Sequence, residues 1–65
     1  MRMDRIPPAV YRRALDECAF TDDELDVLRL RRKNASLVSI SMELNMSEAT
    51  VSRRVRSIKD KIADL

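Results

Sequence analysis

The sequence predicts an all-α fold: a small helical bundle that contains a helix-turn-helix and has an added N-terminal helix. Three observations support this fold class. The 65 residues include no glycine and only two prolines, apolar residues recur at helical spacing, and a capping residue precedes each of the later apolar repeats. A chain of this length has room for one small core, which is marginally stable by itself. We therefore expect one domain that works with a partner.

Composition excludes several functional classes. No apolar run approaches the roughly 18 residues that span a membrane, and the start of the chain lacks the apolar segment of a signal peptide. We therefore expect a cytoplasmic protein with no membrane contact. With one cysteine, Cys18, and no histidine, the chain offers neither an intrachain disulfide nor a credible set of metal ligands. No nucleophile stands beside a base and no glycine-rich loop is present, so we expect no catalysis, no cofactor and no small-molecule ligand.

The first predicted helix occupies residues 7–19, after a flexible lead at residues 1–6. Pro7 and Pro8 fix the backbone and favour a helix that begins at the second proline. Apolar side chains then recur at helical spacing, with charged residues between them. They are Val10, Tyr11, Ala14, Leu15 and Cys18. This amphipathic helix should end near Ala19.

The second predicted helix runs from about Asp22 to Lys33. A capping box precedes it, in which the Thr21 hydroxyl and the Glu24 carboxylate each satisfy a backbone group of the new helix. Its acidic residues lie at the start and its basic residues at the end, as the helix dipole prefers. The side chains expected to be buried are Val27, Leu28 and the flanking Leu30.

A short helix over about Leu37 to Leu44 should follow. In the absence of glycine, Asn34 is the residue best able to take the left-handed conformation that ends a helix, and Ser36 can cap the next one. Residues 45–46 leave room only for a sharp turn before the following helix. The expected inner face consists of Leu37, Ile40 and Leu44.

The last predicted helix, residues 47–61, organises the domain because its two faces differ. Ser47 can serve as its N-cap. One face is an apolar stripe that must be buried: Val51, Val55, Ile58 and Ile62. The opposite face must contact water or a polyanion, because it has short polar and long basic side chains: Glu48, Ala49, Ser52, Arg53 and Arg56. A short helix, a sharp turn and a longer helix with a basic outer face are typical of a helix-turn-helix.

Charge is divided unevenly along the chain. Residues 1–26 include four basic and seven acidic residues, whereas residues 27–61 include nine basic and three acidic residues. The second segment therefore has a net charge of +6, and it contains the last helix. Such a separation favours a nucleic-acid partner, although basic residues also solvate ordinary helix surfaces.

Four stretches share a pattern with known regulators: FTDDELDVLRL at residues 20–30, Ser36 with Ile40-Ser41 and Leu44, MSEATV at residues 46–51, and Ile58 with Lys61-Ile62. Together they resemble, without a gap, the DNA-binding domain of LuxR/GerE-type bacterial regulators. They are also similar to region four of sigma factors. The resemblance implies that residues 20–65 form a helix-turn-helix DNA-binding domain, and that the preceding helix is an addition.

The resemblance implies sequence-specific binding of double-stranded DNA by a transcriptional regulator, with residues 47–61 in the major groove. Chemistry agrees, since the fork of an arginine matches guanine O6 and N7. The expected base-reading residues are Glu48, Ala49, Ser52, Arg53 and Arg56. The expected phosphate contacts are Arg32, Lys33, Ser36, Ser47, Thr50 and Arg54. Capping is an equal alternative for the serines, and an intramolecular partner is the alternative for Arg54.

A homodimer is the expected working unit, because one recognition helix reads too few base pairs to select a site in a genome. The apolar stripe continues to the end of the chain in alternating steps of four and three, the spacing of a coiled-coil seam. The candidates for dimerisation are Val10, Leu15, Ile58, Ile62 and Leu65. The alternative is that this seam packs on the N-terminal helix of its own chain.

A helical protein–protein adaptor is the alternative function. Such a protein would contact RNA polymerase or a partner regulator through apolar residues that a three-helix core does not need, among them Leu25, Leu37 and Val38. The outer face of the last helix distinguishes the two functions. An exposed basic face favours DNA, whereas a face covered by another chain favours the adaptor.

Overall fold

The computed structural model describes residues 6–65 and contains four α-helices in that range. They are α1 (Pro8–Glu17), α2 (Asp22–Arg32), α3 (Leu37–Leu44) and α4 (Glu48–Ala63). No strand is present between residues 6 and 65. The predicted all-α fold, a small helical bundle, is therefore confirmed.

Helix α1 begins at Pro8, directly after Pro7, where a missing backbone N–H costs no helical hydrogen bond. It ends at Glu17, slightly earlier than predicted, because Cys18 has an extended backbone with φ −94° and ψ 136°. Residues 1–5 of the predicted flexible lead lie outside the described part of the chain. Ile6, the last residue of the predicted lead, is instead part of the core, since only 5% of it is exposed.

Side-chain caps start the three later helices, as the sequence predicts. Before α2, the Thr21 hydroxyl accepts a hydrogen bond from the Glu24 amide at 3.2 Å, and the Thr21 amide donates to the Glu24 carboxylate at 3.0 Å. The Ser36 hydroxyl accepts from the Ser39 amide at 3.1 Å, and the Ser47 hydroxyl accepts from Thr50 at the same distance. Each cap satisfies an amide that the first turn of its helix leaves free.

Two asparagines with a left-handed backbone conformation lie at the corners between α2 and α3 and between α3 and α4. Asn34, with φ 65°, follows α2 as predicted, and Asn45, with φ 55°, ends α3. Asparagine tolerates this conformation better than other residues that have a Cβ, which suits a chain without glycine. Across the first of these corners, the Arg31 guanidinium donates to the Ala35 carbonyl at 2.7 Å.

The core lies between α4 and the two helices α2 and α3 that pack against it. The predicted stripe of α4 is buried, as are Val27 and Leu28 of α2, whereas the third side chain predicted for that helix, Leu30, is half-buried. Removal of this apolar surface from water is the main force that holds the helices together. In the described part of the chain, the buried apolar side chains are Ile6, Ala14, Val27, Leu28, Ile40, Val51, Val55, Ile58 and Ile62.

This core corrects the prediction that Ile58 and Ile62 belong to a seam that packs on a second copy. Ile58 is fully buried and only 4% of Ile62 is exposed, so neither side chain forms a free seam. Both belong to one buried cluster that also contains Ala14 of α1. In addition, the Cys18 thiol donates to the Lys61 carbonyl at 3.5 Å. The alternative stated with that prediction, packing on the chain's own N-terminal helix, describes this arrangement.

Candidate nucleic-acid interface

Helices α3 and α4 form a short unit with a tight turn between them. Only residues 45–47 separate Leu44 from Glu48. The Met46 amide donates to the Ser41 carbonyl at 2.9 Å, which closes the turn. Only 9% of Ser41 is exposed, and its hydroxyl donates to the Val38 carbonyl at 2.7 Å, so this small buried side chain is satisfied within α3. The turn therefore holds the start of α4 at a fixed position beside the end of α3.

The outer face of α4 is exposed where the sequence predicts it. This face is defined by Glu48, Ala49, Ser52, Arg53 and Arg56, all of which are exposed. Among residues 6–65, no carboxylate lies within 4.0 Å of the guanidinium of Arg53 or Arg56. Since the opposite side of the same helix is buried, the orientation of this face is fixed by the core. Both guanidinium groups are thus available to an external partner.

The predicted phosphate-contact residues lie in different surroundings. Ser36 and Ser47 act as caps, and the Ser47 hydroxyl also donates to the Thr50 hydroxyl at 2.8 Å. Capping, the alternative given for the serines, is therefore present, although both remain exposed. Lys33 is exposed at the end of α2, and the guanidinium of the half-buried Arg32 lies 4.0 Å from the centre of the Tyr11 ring.

Arg54 faces α2 rather than the outer face of α4. Its guanidinium lies 3.8 Å from the Asp23 carboxylate, and its Nε is buried with no hydrogen-bond partner in the described part of the chain. The pair is partly exposed, with 41% of the arginine side chain and 55% of the aspartate side chain accessible. Such a pair contributes roughly 0–1 kcal/mol to stability. The intramolecular alternative for Arg54 is therefore present in the structure, and its role as a phosphate contact stays a prediction.

The position of α4 is fixed at its other end by a buried carboxylate. Only 3% of Glu24 is exposed. Its two oxygens accept hydrogen bonds from the Ser57 hydroxyl and the Lys61 ammonium, both at 2.7 Å. Burial by itself raises the pKa of Glu24, but the hydrogen bonds from Lys61, Thr21 and Ser57 and the charge of Lys61 outweigh it and lower the pKa to about 2. The carboxylate is therefore ionised at neutral pH and holds the start of α2 against α4.

A second basic surface lies between α1 and α2, and sequence reasoning missed its extent. A pocket of about 250 Å³ is lined by Ile6, Tyr11, Arg29, Arg32 and Lys33. Two of these residues, Arg32 and Lys33, were predicted as phosphate contacts. The spacing of Arg29 and Arg32 places them on one side of a helix, which was a usable signal. The contribution of Tyr11 and Ile6 depends on how α1 docks, and the sequence does not give this.

Between residues 6 and 65, three large apolar side chains remain exposed: Leu15 at 40%, Val38 at 51% and Met42 at 78%. Val38 and Met42 are one helical turn apart on α3 and form one small patch. Of the residues predicted for an adaptor surface, Leu25 and Leu37 are half-buried. Of the remaining dimerisation candidates, Val10 and Leu65 are half-buried and pack against the core.

Residues 6–65 contain neither a candidate membrane span nor a candidate metal site. No helix in this range has both the length and the apolar character needed to cross a membrane. Within the same residues, no three side chains of histidine, cysteine, aspartate or glutamate cluster closely enough to hold a metal ion.

No family model, no curated protein and no solved structure matches the chain. The resemblance to LuxR/GerE-type domains and to region four of sigma factors stays a prediction from the sequence.

Proposed function

We propose that this chain is a sequence-specific, double-stranded DNA-binding transcriptional regulator that inserts α4 into the major groove. The supporting observation is the outer face of α4. Five small or polar residues, among them Arg53 and Arg56, are exposed on one side of a 16-residue helix whose other side is buried. The width of the major groove admits an α-helix, and a helix fixed by its own core presents these side chains in one orientation.

Each residue of this face has a role that its chemistry permits. Arg53 and Arg56 donate to guanine O6 and N7, since the guanidinium fork matches both acceptors. Glu48 accepts from cytosine N4, and Ala49 contacts a thymine methyl group. Ser52 is small enough for close approach and can donate to or accept from a base edge. These five residues read the sequence.

A second group of residues holds the DNA backbone. Lys33 supplies a positive charge, and Ser36, Ser47 and Thr50 supply hydroxyl groups near the starts of α3 and α4. Helix N-termini also attract phosphate through their free amides and dipole. Arg32 contributes a guanidinium that Tyr11 holds in place. Such contacts set the register of the protein on the duplex without reading sequence.

The test is selection of duplexes from a random pool, followed by affinity measurements on the selected site and on a random duplex. Specific binding exceeds non-specific binding by about 10³-fold or more for typical regulators. Arg12→Ala controls for the loss of one positive charge, because Arg12 is an exposed arginine on α1 and not part of the outer face of α4. The proposal would be contradicted if the selection enriched no sequence motif, or if the chain bound all duplexes with equal affinity.

The proposed setting is the cytoplasm, with a homodimer as the working unit on DNA. One α4 helix covers only a few base pairs, so two copies on half-sites about one helical turn apart provide the selectivity that one copy lacks. The proposal includes no catalysis and no cofactor. RNA polymerase is a further proposed partner, since a regulator bound near a promoter acts on that enzyme.

The alternative function, a helical adaptor that binds RNA polymerase or a partner regulator, is favoured by one observation. Val38 and Met42 form an exposed apolar patch on α3, and exposed apolar patches often mark protein interfaces. Charged substitutions there, Val38→Glu and Met42→Lys, should leave DNA affinity on the selected site nearly unchanged if the protein is only a DNA reader. Loss of a protein complex with retention of DNA binding would assign the patch to the adaptor function.

A further inference from the structure

The pocket between α1 and α2 has an unusual lining for so small a domain. Its wall is partly apolar, with Ile6 almost fully buried and the Tyr11 ring half-buried. The remaining lining residues among positions 6–65 are the three cations Arg29, Arg32 and Lys33, and no carboxylate of these positions lines the pocket. Positive charges around a concave, partly apolar surface interact more strongly with an anion than the same charges on a flat surface, because less water screens them.

One of the cations is held in place before any ligand arrives. The guanidinium of Arg32 lies 4.0 Å from the centre of the Tyr11 ring, which is within the range of a cation–π interaction. Stacking uses the flat face of the guanidinium and leaves N–H groups at its edge for an anion. Such an arrangement reduces the entropy that a flexible side chain loses on binding.

The other two cations have little internal competition for their charge. Arg29 lies 3.9 Å from the Asp26 carboxylate in an exposed pair, which is the weakest class of salt bridge. Among residues 6–65, no carboxylate lies within 4.0 Å of Arg32 or Lys33. The pocket therefore has two cations without an ion pair in this range and a third in a weak pair.

The helix dipole explains why basic residues are favoured at the end of α2, but its partial negative charge does not cancel the charge of the three cations. The carboxyl end of α2 favours basic residues by itself, since it is equivalent to about half a negative charge. The terminal carbonyls of Arg29, Leu30 and Arg31 all accept backbone hydrogen bonds from the turn that follows. Three full positive charges exceed this partial charge together with the one carboxylate of Asp26. Counted over residues 6–65, the lining of the pocket is therefore positive.

We propose that this pocket binds a phosphate group. Two guanidinium groups and an ammonium can share the oxygens of one phosphate, and arginine forks match phosphate geometry in bidentate pairs. The phosphate can come from the DNA backbone or from a free phosphorylated compound, and the chemistry of recognition is the same. A free compound would make the chain responsive to a small molecule, which the sequence did not indicate.

The experiment follows the amide signals of Tyr11 and the side-chain Nε signals of Arg29 and Arg32 by two-dimensional NMR. Inorganic phosphate is added to the whole chain at constant ionic strength, with sodium chloride as the balancing salt. We expect saturable shifts with a dissociation constant on the order of 1 mM, weakened on the order of tenfold in Lys33→Gln. Arg12→Gln is the control, because it removes an exposed arginine that does not line the pocket.

A second arm adds a short DNA duplex instead of phosphate and separates the two sources. If the duplex moves the same signals and Lys33→Gln reduces those shifts, the DNA backbone is the source. If phosphate saturates the pocket while the duplex leaves these signals unmoved, a free phosphorylated compound is the source, even if DNA binds through α4. The proposal is overturned if neither phosphate nor duplex moves the pocket signals beyond the change caused by chloride. It is equally overturned if Lys33→Gln and Arg12→Gln weaken binding alike.

Discussion

The carboxylate of Glu24 and the ammonium of Lys61 lie 2.7 Å apart, although 37 positions separate them in the sequence. The same glutamate completes the capping box of α2. The same lysine also donates to the Ala19 carbonyl at 2.8 Å, at the other side of that cap. One ion pair therefore joins the start of α2 to the last turns of α4. Because α4 has the proposed base-reading residues, this pair helps to set their position relative to the rest of the domain.

Glu24 should make the domain sensitive to acid. Its pKa is lowered from 4.5 to about 2 in the folded chain, so its stabilising contribution is fully present above pH 4.5 and is lost as the pH falls from there toward 2. The shift corresponds to on the order of 3 kcal/mol. Glu24→Gln should therefore lower the free energy of unfolding at pH 7 and flatten its dependence on pH below 4.5. Urea unfolding followed by circular dichroism at several pH values measures both effects.

Glu43→Gln is the matched control for this prediction. Glu43 is exposed, and among residues 6–65 no lysine or arginine lies within 4.0 Å of it. Its substitution should change the unfolding free energy by less than about 0.5 kcal/mol at pH 7. Equal losses for the two variants, or an unchanged acid slope in Glu24→Gln, would show that Glu24 does not act as described.

The local features of the fold are predictable because short stretches of sequence determine them. Thr21 and Glu24 are three residues apart, so their capping box depends only on the backbone of one turn. Asn34 takes the left-handed conformation for an equally local reason. The buried stripe of α4 follows from periodicity, since any other orientation would leave four large apolar side chains in water.

The remaining features depend on how helices dock, which the sequence alone does not determine. Ile6 was assigned to a flexible lead because charged residues precede it, yet it enters the core where α1 begins. Arg54 lies at the edge of the apolar stripe, and only the position of Asp23 on α2 directs it inward. The partners of Glu24 on α4 and the position of Arg32 over Tyr11 are long-range contacts of the same kind.

Substitutions should distinguish the residues that read bases from those that contact phosphates. The two kinds of variant should differ in how their loss of DNA affinity depends on the DNA sequence. Arg53→Ala and Arg56→Ala should each cost on the order of 1–3 kcal/mol on the selected duplex and less on a random one, since base contacts are lost. Lys33→Ala should weaken binding to both duplexes alike, because a phosphate contact carries no sequence information. Fluorescence anisotropy with labelled duplexes gives the affinities, and Arg12→Ala controls for loss of charge. If all three variants lose equally on both duplexes, Arg53 and Arg56 do not read bases.

Binding to DNA should weaken steeply as the salt concentration rises. Each phosphate that the basic residues neutralise releases counterions, so the logarithm of the affinity falls linearly with the logarithm of salt, by about 0.9 per phosphate contact. Substitution of one contact, as in Lys33→Ala, should reduce this slope by about one. Titrations between low and physiological salt measure the slope. An affinity that stays constant over this range is incompatible with the phosphate contacts proposed here.

The turn between α3 and α4 should depend on the left-handed backbone of Asn45. Its φ of 55° is strained for most residues with a Cβ. Asn45→Ala should therefore destabilise the domain by about 1 kcal/mol, whereas Asn45→Gly should be neutral or mildly stabilising. Thermal unfolding of the two variants checks the difference. Identical stabilities would mean that the turn relaxes without cost.

The structure determines which residue can be substituted to test the predicted dimer. Ile62→Asp does not test dimerisation, because only 4% of Ile62 is exposed and a buried aspartate would unfold the chain itself. Leu15 is the better choice, since it is a dimerisation candidate and 40% of it is exposed on α1. If α1 pairs with a second copy through this side chain, Leu15→Glu should lower the dimer fraction on DNA while the helical content stays unchanged.

Light scattering at tens of micromolar, with and without the selected duplex, measures the mass of each species. The expected result is two copies per duplex for the natural chain and one copy for Leu15→Glu, with weaker binding because the second half-site is lost. Ala63→Glu is the control, since Ala63 is exposed at the end of α4 and is not a dimerisation candidate. A monomer mass for the natural chain that DNA leaves unchanged would exclude the homodimer. A dimer that survives Leu15→Glu would instead place the contact on another surface, with the exposed Val38 and Met42 of α3 as the next to substitute.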